Sequence, residues 1–362
     1  MIESVLKNTT FEVLLDRMLQ KVKEQNSNLD TREGSIIYNA LAPAAVELQN
    51  LYIQLEVILN ETFADTASRY YLIKRAAERG VKVEKATKAI RKGIFDIDIP
   101  LGSRFSLNVL NYVAKEKIAD ESGHVYKMEC ETSGNVGNTE SGKLIPIEYI
   151  DGLTQAELTS VLIPGEDEED TEHLRKRYFD SLSSQSYGGN VSDYKQKVGA
   201  IAGVGGVKVI PHWNGGGTVK LIIINSDFQK PSEYLINNVQ TIVDPVVNQG
   251  IGLGIAPIGH IVTVEGCQET AININTHLTF KEGFNFPTLE PIINNCIGNY
   301  FTELASTWAS SDAIALRISQ IETRLLNIDG VIDVENTLIN GQAGNLILDS
   351  NNIPIKGAVI NV

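Results

Sequence analysis

Seven apolar residues, Ile37, Leu41, Ala44, Leu48, Leu51, Leu55 and Ile58, fall alternately four and three apart. That spacing constrains the chain more than any other feature. It places all seven along one side of a helix about three heptads long, the pattern of a helix that packs lengthwise on another. Two readings of the seam stay open: it packs on helices of this chain, or it faces a partner. Pro43 interrupts the run and marks either a kink or the true start, because proline is tolerated in a first turn but not in a helix interior. Upstream, Thr9 followed by Glu12 gives a capping-box pattern, and Phe11, Leu14, Leu15, Met18, Leu19 and Val22 recur at helical spacing. The break between these helices lies over 27–34. A third helix over about 66–79 stops at Gly80, a residue suited to the left-handed conformation beyond a helix end.

Near residue 90 the period changes from helical to alternating. Phe95, Asp96, Ile97, Asp98 and Ile99 read as a strand with its acids on the wet face. Pro100 and Gly102 make a turn, and the Gly-, Asn- and Ser-rich stretch 131–143 reads as an exposed loop. At Pro164 the composition shifts again. In GEDEEDTEHLRKRYF, residues 165–179, the acids Glu166 to Asp170 are expected at the start of a helix and Arg175, Lys176 and Arg177 further along it, complementing the macrodipole. Beyond it, β-rich runs flank WNGGG as a hairpin, a helix follows Pro231, and helical runs near 289–304 and 313–326 alternate with strands. The expected fold is α+β and multidomain. A helical region, 1–88, carries the heptad-like helix for bundle formation, 89–164 is β-rich, and two smaller α+β domains occupy 165–266 and 267–362.

Length alone argues against a single core, since 362 residues suggest about two to four domains. Hydrophobic residues at 43% and charged residues at 21% suit a folded chain rather than a disordered one. A net charge of −14 and a pI near 4.9 repel phosphate backbones and anionic lipid, so nucleic acid is not an expected partner. The start of the chain lacks the basic and apolar segments of a signal peptide, and no apolar run long enough to span a membrane follows. Cys130, Cys267 and Cys296 are far apart without CxxC spacing, which reads as reduced thiols in a protein made in a cytoplasm.

No cofactor, metal or catalytic residue is expected. The glycines near 203 and 250 fail the dinucleotide fingerprint, and Gly215 to Gly217 lead into a strand where a phosphate-binding loop would lead into a helix. The five histidines have no HExxH and no helix-face pair. The acid run lacks the alternating ligands and central glycine of a calcium loop. Trp213 and Trp308 are core residues or interface anchors.

Several of these segments, taken in order, carry a resemblance. They are Asp30, Thr31 and Arg32 with Gly34 and Ser35; the helical run from Ala42 to Leu55; Phe63 to Ala67; Gly80 with Ala86 to Ala89; and the turn Ile99 to Phe105. Then follow Gly137 with Asn138; Gly165 to Asp170 leading into Leu174 to Tyr178; Tyr187 to Asn190 with Tyr194; Gly203 with Val204; Pro211; and Ala256 to Gly259. Order and spacing over about 30–265 resemble the baseplate J-like proteins of contractile-tailed phages and related phage-tail-like particles. Beyond 265 only the general α+β character is similar. Gly102 with Ser103 stands where the family pattern usually has Gly-Thr, which keeps the hydroxyl.

The resemblance implies a non-enzymatic component of the baseplate wedge. Such proteins pair within a wedge, link six wedges into a ring around the hub, and transmit the rearrangement that triggers sheath contraction. It implies partners in a second copy of the chain and other wedge proteins, with hub and sheath contacted indirectly. It also implies residence in a virion or tail-like baseplate assembled in the bacterial cytoplasm. In that setting Ile37, Leu41, Leu48, Leu51, Leu55 and Ile58 are the expected bundle contacts. Glu168 and Glu169 are expected to meet a basic partner, since capping does not explain five consecutive acids. The alternatives are a host-surface binding tail protein and, on scattered carboxylates alone, a cell-wall-degrading enzyme.

Overall fold

A computed structural model describes residues 9–118, 123–183 and 188–362. Residues 1–8 and Tyr187 of the quoted motif lie outside the described residues. The chain divides into two compact units, Met1–Glu84 with Glu169–Ser183 and Lys85–Glu168 with Ser184–Val362.

The first unit is helical. α1 (Phe11–Gln25) begins at Thr10, whose hydroxyl accepts the Val13 N–H at 3.5 Å, one residue later than the expected Thr9 cap. α2 (Ile36–Thr62) begins at Ser35, which accepts the Tyr38 N–H at 3.2 Å. Pro43 therefore lies inside α2 and leaves the Asn39 carbonyl without its usual donor. In the connecting turn Asp30 accepts the backbone N–H of Arg32 at 3.0 Å and its Nε–H at 2.9 Å. The Arg32 side chain holds the Asp30 carboxyl down to about 2. Gly34 takes φ of 87°, where a side chain would be strained.

Leu14 and Leu15 of α1 bury against Ala45 of α2, with Met18, Leu41 and Leu48 packed around them. α3 (Arg69–Glu78) and α4 (Thr171–Ser183) share another small core of Leu72, Ala76, Val81 and Leu174. The Arg175 side chain ties α4 down by donating to the carbonyls of Ala64 and Ala67. These contacts set α4 with the N-terminal helices, whereas the sequence expectation assigned it to 165–266.

In the second unit β1 (Lys88–Phe95), β2 (Arg104–Leu107), β3 (Leu110–Lys117), β4 (His124–Ser133), β5 (Gly142–Lys143), β6 (Ile145–Pro146) and β7 (Ala156–Ile163) form one sheet in the order β5-β7-β1-β4-β3-β2-β6. Its two edges flank a single residue, Leu144, so the sheet nearly closes on itself. Phe105, Tyr112, Met128, Leu144 and Leu158 fill the inside. Arg91 is buried there too, donating to Gly137 O at 2.8 Å, Ser141 Oγ at 2.6 Å and Thr159 O at 2.5 Å.

Two local expectations change. β1 ends at Phe95, so Asp96 and Asp98 lie beyond the strand and anchor it. Asp96 accepts the Thr154 N–H at 3.0 Å, and Asp98 accepts the Tyr126 hydroxyl at 2.9 Å. The stretch 131–143 is not an open loop throughout. Gly137 is buried, and a Cβ there would stand 2.8 Å from the Ala89 side chain.

Next come α5 (Val191–Gly199), β8 (Val204–Pro211), β9 (Thr218–Asn225), α6 (Glu233–Val243) and β10 (Ile261–Gly266). β8 and β9 form the expected hairpin, β10 joins β9 in parallel, and α5 and α6 pack on the sheet through Tyr194, Val198, Leu235 and Val239. The other face of β9 presents Ile222 and Ile224 to the core of the last segment.

That segment contains β11 (Gln268–Phe280), α7 (Phe286–Ser306), β12 (Ala315–Leu316), α8 (Ile318–Leu326), β13 (Val331–Ile339), β14 (Leu346–Ile347) and β15 (Asn352–Asn361). β11 lies between antiparallel β13 and parallel β15, under α7 and α8. Trp308 is a core residue: its Nε1–H meets Ser350 O at 3.0 Å, and Lys208 lies 4.8 Å from its ring centre. Trp213 is exposed, with Lys220 Nζ 4.0 Å from its ring centre.

Candidate assembly interface

α2 has 27 residues and α1 has 15. At about 1.5 Å per residue, α1 is too short by roughly 18 Å to cover its neighbour. Its contacts accordingly gather on one stripe of α2 formed by Tyr38, Leu41, Ala45, Leu48 and Tyr52. The residues beyond are apolar yet open: Leu51, Ile53, Leu55, Val57 and Ile58 are each between 41% and 59% exposed.

At about 100° per residue, Leu51, Leu55 and Ile58 share one side of the helix, while Val46, Ile53 and Val57 lie well round on another. Glu47, Asn50, Gln54 and Glu61 make the polar strip between them. A helix apolar on most of its circumference is normally a buried one.

The structure therefore divides the expected seam. Leu41 and Leu48 pack on α1, Ile37 is half-buried, and Leu51, Leu55 and Ile58 face outward. Ala44 is exposed and its neighbour Ala45 fills the contact, because the stripe that faces α1 runs through Leu41, Ala45, Leu48 and Tyr52, and Ala44 lies about 100° round the helix from Ala45. The stripe of Val46, Ile53 and Val57 was missed in the sequence; scoring a second face at helical period would have found it.

The acid run turns out to be a set of separate anchors. Only Asp170 caps α4, accepting the N–H groups of Glu172 at 2.8 Å and His173 at 2.9 Å. Those backbone bonds hold its carboxyl below the usual range. Glu169 is buried, accepts the Glu84 N–H at 3.2 Å and pairs with Arg177 at 2.8 Å. Within the second unit, Glu166 accepts the Gly203 N–H at 2.8 Å and Asp167 accepts the Asn135 N–H at 3.0 Å. The run lies ahead of the helix because its carboxylates answer backbone donors far away in sequence. Glu168 is the exposed member of the Glu168, Glu169 pair.

Gly165 explains two further motif residues. A Cβ there would meet Gly134 O at 2.5 Å and Ala89 N at 2.6 Å. Asn138 spans it, accepting the Gly165 N–H at 2.8 Å and donating to Gly165 O at 2.9 Å. The Asn138 amide also reaches Asp227 at 3.2 Å, a carboxyl that burial pushes up.

Among the described residues no group of three or more His, Cys, Asp or Glu side chains is placed to hold a metal ion, and no helix is long and apolar enough to cross a membrane.

Comparison with known proteins bears on the same chain. Residues 186–266 match the Baseplate J-like central domain and residues 272–361 the Baseplate J-like protein C-terminal domain. The phage-like element PBSX protein XkdT of Bacillus subtilis (strain 168) is 37% identical over 359 residues, 98% of each chain. The chain belongs to the baseplate J-like family.

The uncharacterised protein YqbT of the same organism is 38% identical over 359 residues, again 98% of each chain. Among solved structures, a chain of the anti-feeding prophage (AFP) baseplate, 6-fold symmetrised, is similar at a TM-score of 0.42 and 6% identity, covering 94% of this chain and 89% of that one. Membership extends the baseplate J-like assignment past residue 265, where the sequence resemblance stopped. It makes this chain a structural protein of a phage-tail or tail-like baseplate.

Proposed function

We propose that the chain is a wedge subunit that joins neighbouring wedges into a ring around the hub and passes on the rearrangement that releases the sheath. Its work is done through surfaces, with no bond made or broken on it. The observation that supports this reading is the second half of α2, whose apolar stripes α1 leaves open. Each of those side chains is about half exposed, so seating it between partner helices contributes roughly 1 kcal/mol. A bundle with a second copy or another wedge protein suits both stripes. Exposed Glu168 is a candidate for a salt-dependent contact with a basic neighbour.

The test replaces Leu51 and Leu55 by Asp. The variant should fold as the parent does, because neither side chain belongs to the core between α1 and α2, yet yield no wedge complexes or contractile particles. Normal particle assembly by that variant would overturn the bundle role.

A further inference from the structure

Two joints hold the second unit together, and they are built from different chemistry. The first connects the segments that match the central and the C-terminal domain models. A single residue, Cys267, stands between β10 and β11 and is fully buried. Its N–H bonds Ile223 O at 2.9 Å, continuing the pairing of β10 with β9, and the Gln268 N–H bonds Asn351 O at 3.0 Å where β11 meets β15. One run of chain passes from the first sheet into the second with no linker to bend.

Apolar packing seals this joint. Ile222 and Ile224 of β9 lie in the same core as Ile272, Ile297 and Trp308. A Cβ on Gly206 would stand 2.7 Å from the Ala309 side chain, so β8 runs close against the turn after α7. Beside the Trp308 ring, Lys208 donates to Ser350 O at 2.5 Å. A shared, close-packed core resists continuous deformation.

The second joint lies between the nearly closed sheet and the central segment. No linker runs directly between them: the chain leaves β7 at Ile163, makes α4 in the first unit and only then reaches α5. The apolar part of the joint is Ile163 in the central core with Ile90 packed against that core. Among the described residues the other contacts are polar. Glu166 accepts the Gly203 N–H at 2.8 Å, and Asn138 donates to Asp227 at 3.2 Å. The Ser232 hydroxyl donates to Leu162 O at 2.6 Å, and Lys127 Nζ lies 4.4 Å from the Tyr234 ring centre. Such groups can exchange their partners for water at small net cost. Opening would also return Asp227 to water, the loss of which pushes its carboxyl up in the closed joint.

We propose that residues 191–361 form one rigid lever, and that Glu166, Asn138 and Asp227 are the latch that holds it to the sheet and releases when the subunit rearranges. Polar joints between domains permit relative motion, whereas large hydrophobic ones suppress it. Two domains of the family therefore move as one body here, and the give lies on the barrel side of the lever. The proposal rests on the wedge reading only for the rearrangement itself; lever and latch are properties of the free chain.

The test uses the free full-length chain with Cys296→Ser, because Cys130 and Cys267 are buried. Spin labels on Asn237→Cys in α6 and Ile292→Cys in α7 read the lever, and labels on Val109→Cys and Asn237→Cys read the latched joint, each at an exposed position. Both pairs should give one narrow distance in the parent. Glu166→Ala with Asp227→Ala should add a second distance to the Val109, Asn237 pair and leave the Asn237, Ile292 pair unchanged. No second distance, or equal broadening of both pairs, overturns the proposal. Hydrogen exchange of the parent gives a readout that needs no latch substitution. The Gly203 N–H should exchange at least about a hundredfold faster than the Cys267 and Gln268 N–H groups, because opening the latch frees the first while only unfolding of the lever frees the others. Equal rates overturn it. Neither readout involves assembly, so failure here leaves the α2 particle test standing, and failure of that test leaves this one standing.

Discussion

The two halves of α2 are built from similar residues and have opposite fates. In the first half Tyr38, Leu41, Ala45 and Leu48 meet α1, while in the second Leu51, Ile53, Leu55, Val57 and Ile58 meet solvent. Hydrophobic pattern alone does not separate them. The difference is the length of the neighbour and the face it covers, which makes one half a folding device and leaves the other as the surface we propose for assembly.

The largest effect should come from breaking the covered half. Leu14→Ala empties a fully buried site and is expected to cost about 2–5 kcal/mol in chemical denaturation of the helical unit. Next is Glu169→Gln, which removes the buried one of the two carboxylates paired with Arg177, Glu84 being the other, and weakens that contact by about 1–3 kcal/mol. Glu168→Gln at the exposed neighbour should stay within about 0.5 kcal/mol. If the two behave alike, the division of the acid run into a buried anchor and an exposed member is wrong.

Asp170→Ala removes the α4 cap and should cost about 1 kcal/mol. Its pH dependence has a definite sign. Because the folded carboxyl lies below its ordinary value of 3.8, the stabilisation is complete above that value and is lost as pH falls through the lowered one. The Asp170→Ala chain should lose this component of acid destabilisation in urea titrations run at successive pH values. Smallest in the isolated chain is Leu55→Ala, within about 0.5 kcal/mol. A loss near that of Leu14→Ala would show that the second half of α2 is already packed.

Much of the architecture was legible in local pattern. The helical period up to residue 80, the β8–β9 hairpin around WNGGG and the helices after Pro231 and near 289–304 depend on neighbours a few residues apart. What escaped depends on distant residues. The closing strands β5 and β6 are two residues each, too short to show alternation. Glu166, Asp167 and Glu169 find their donors at Gly203, Asn135 and Glu84, and charge order along the run carries no trace of those partners. The reason for Gly165 is the backbone of Gly134 and Ala89, which lies far away in sequence. On α2 the heptad rule found the Leu51, Leu55 and Ile58 stripe but not Val46, Ile53 and Val57, because it scores only one face.

The central claim is that the second half of α2 is open in the free subunit and covered in the particle. Leu51→Cys places a thiol at its middle, and the rate of maleimide labelling reads its exposure in both states. Fast labelling of the free chain with strong protection in assembled particles is the expected result. Equal rates in the two states, or protection already in the monomer, would contradict the account.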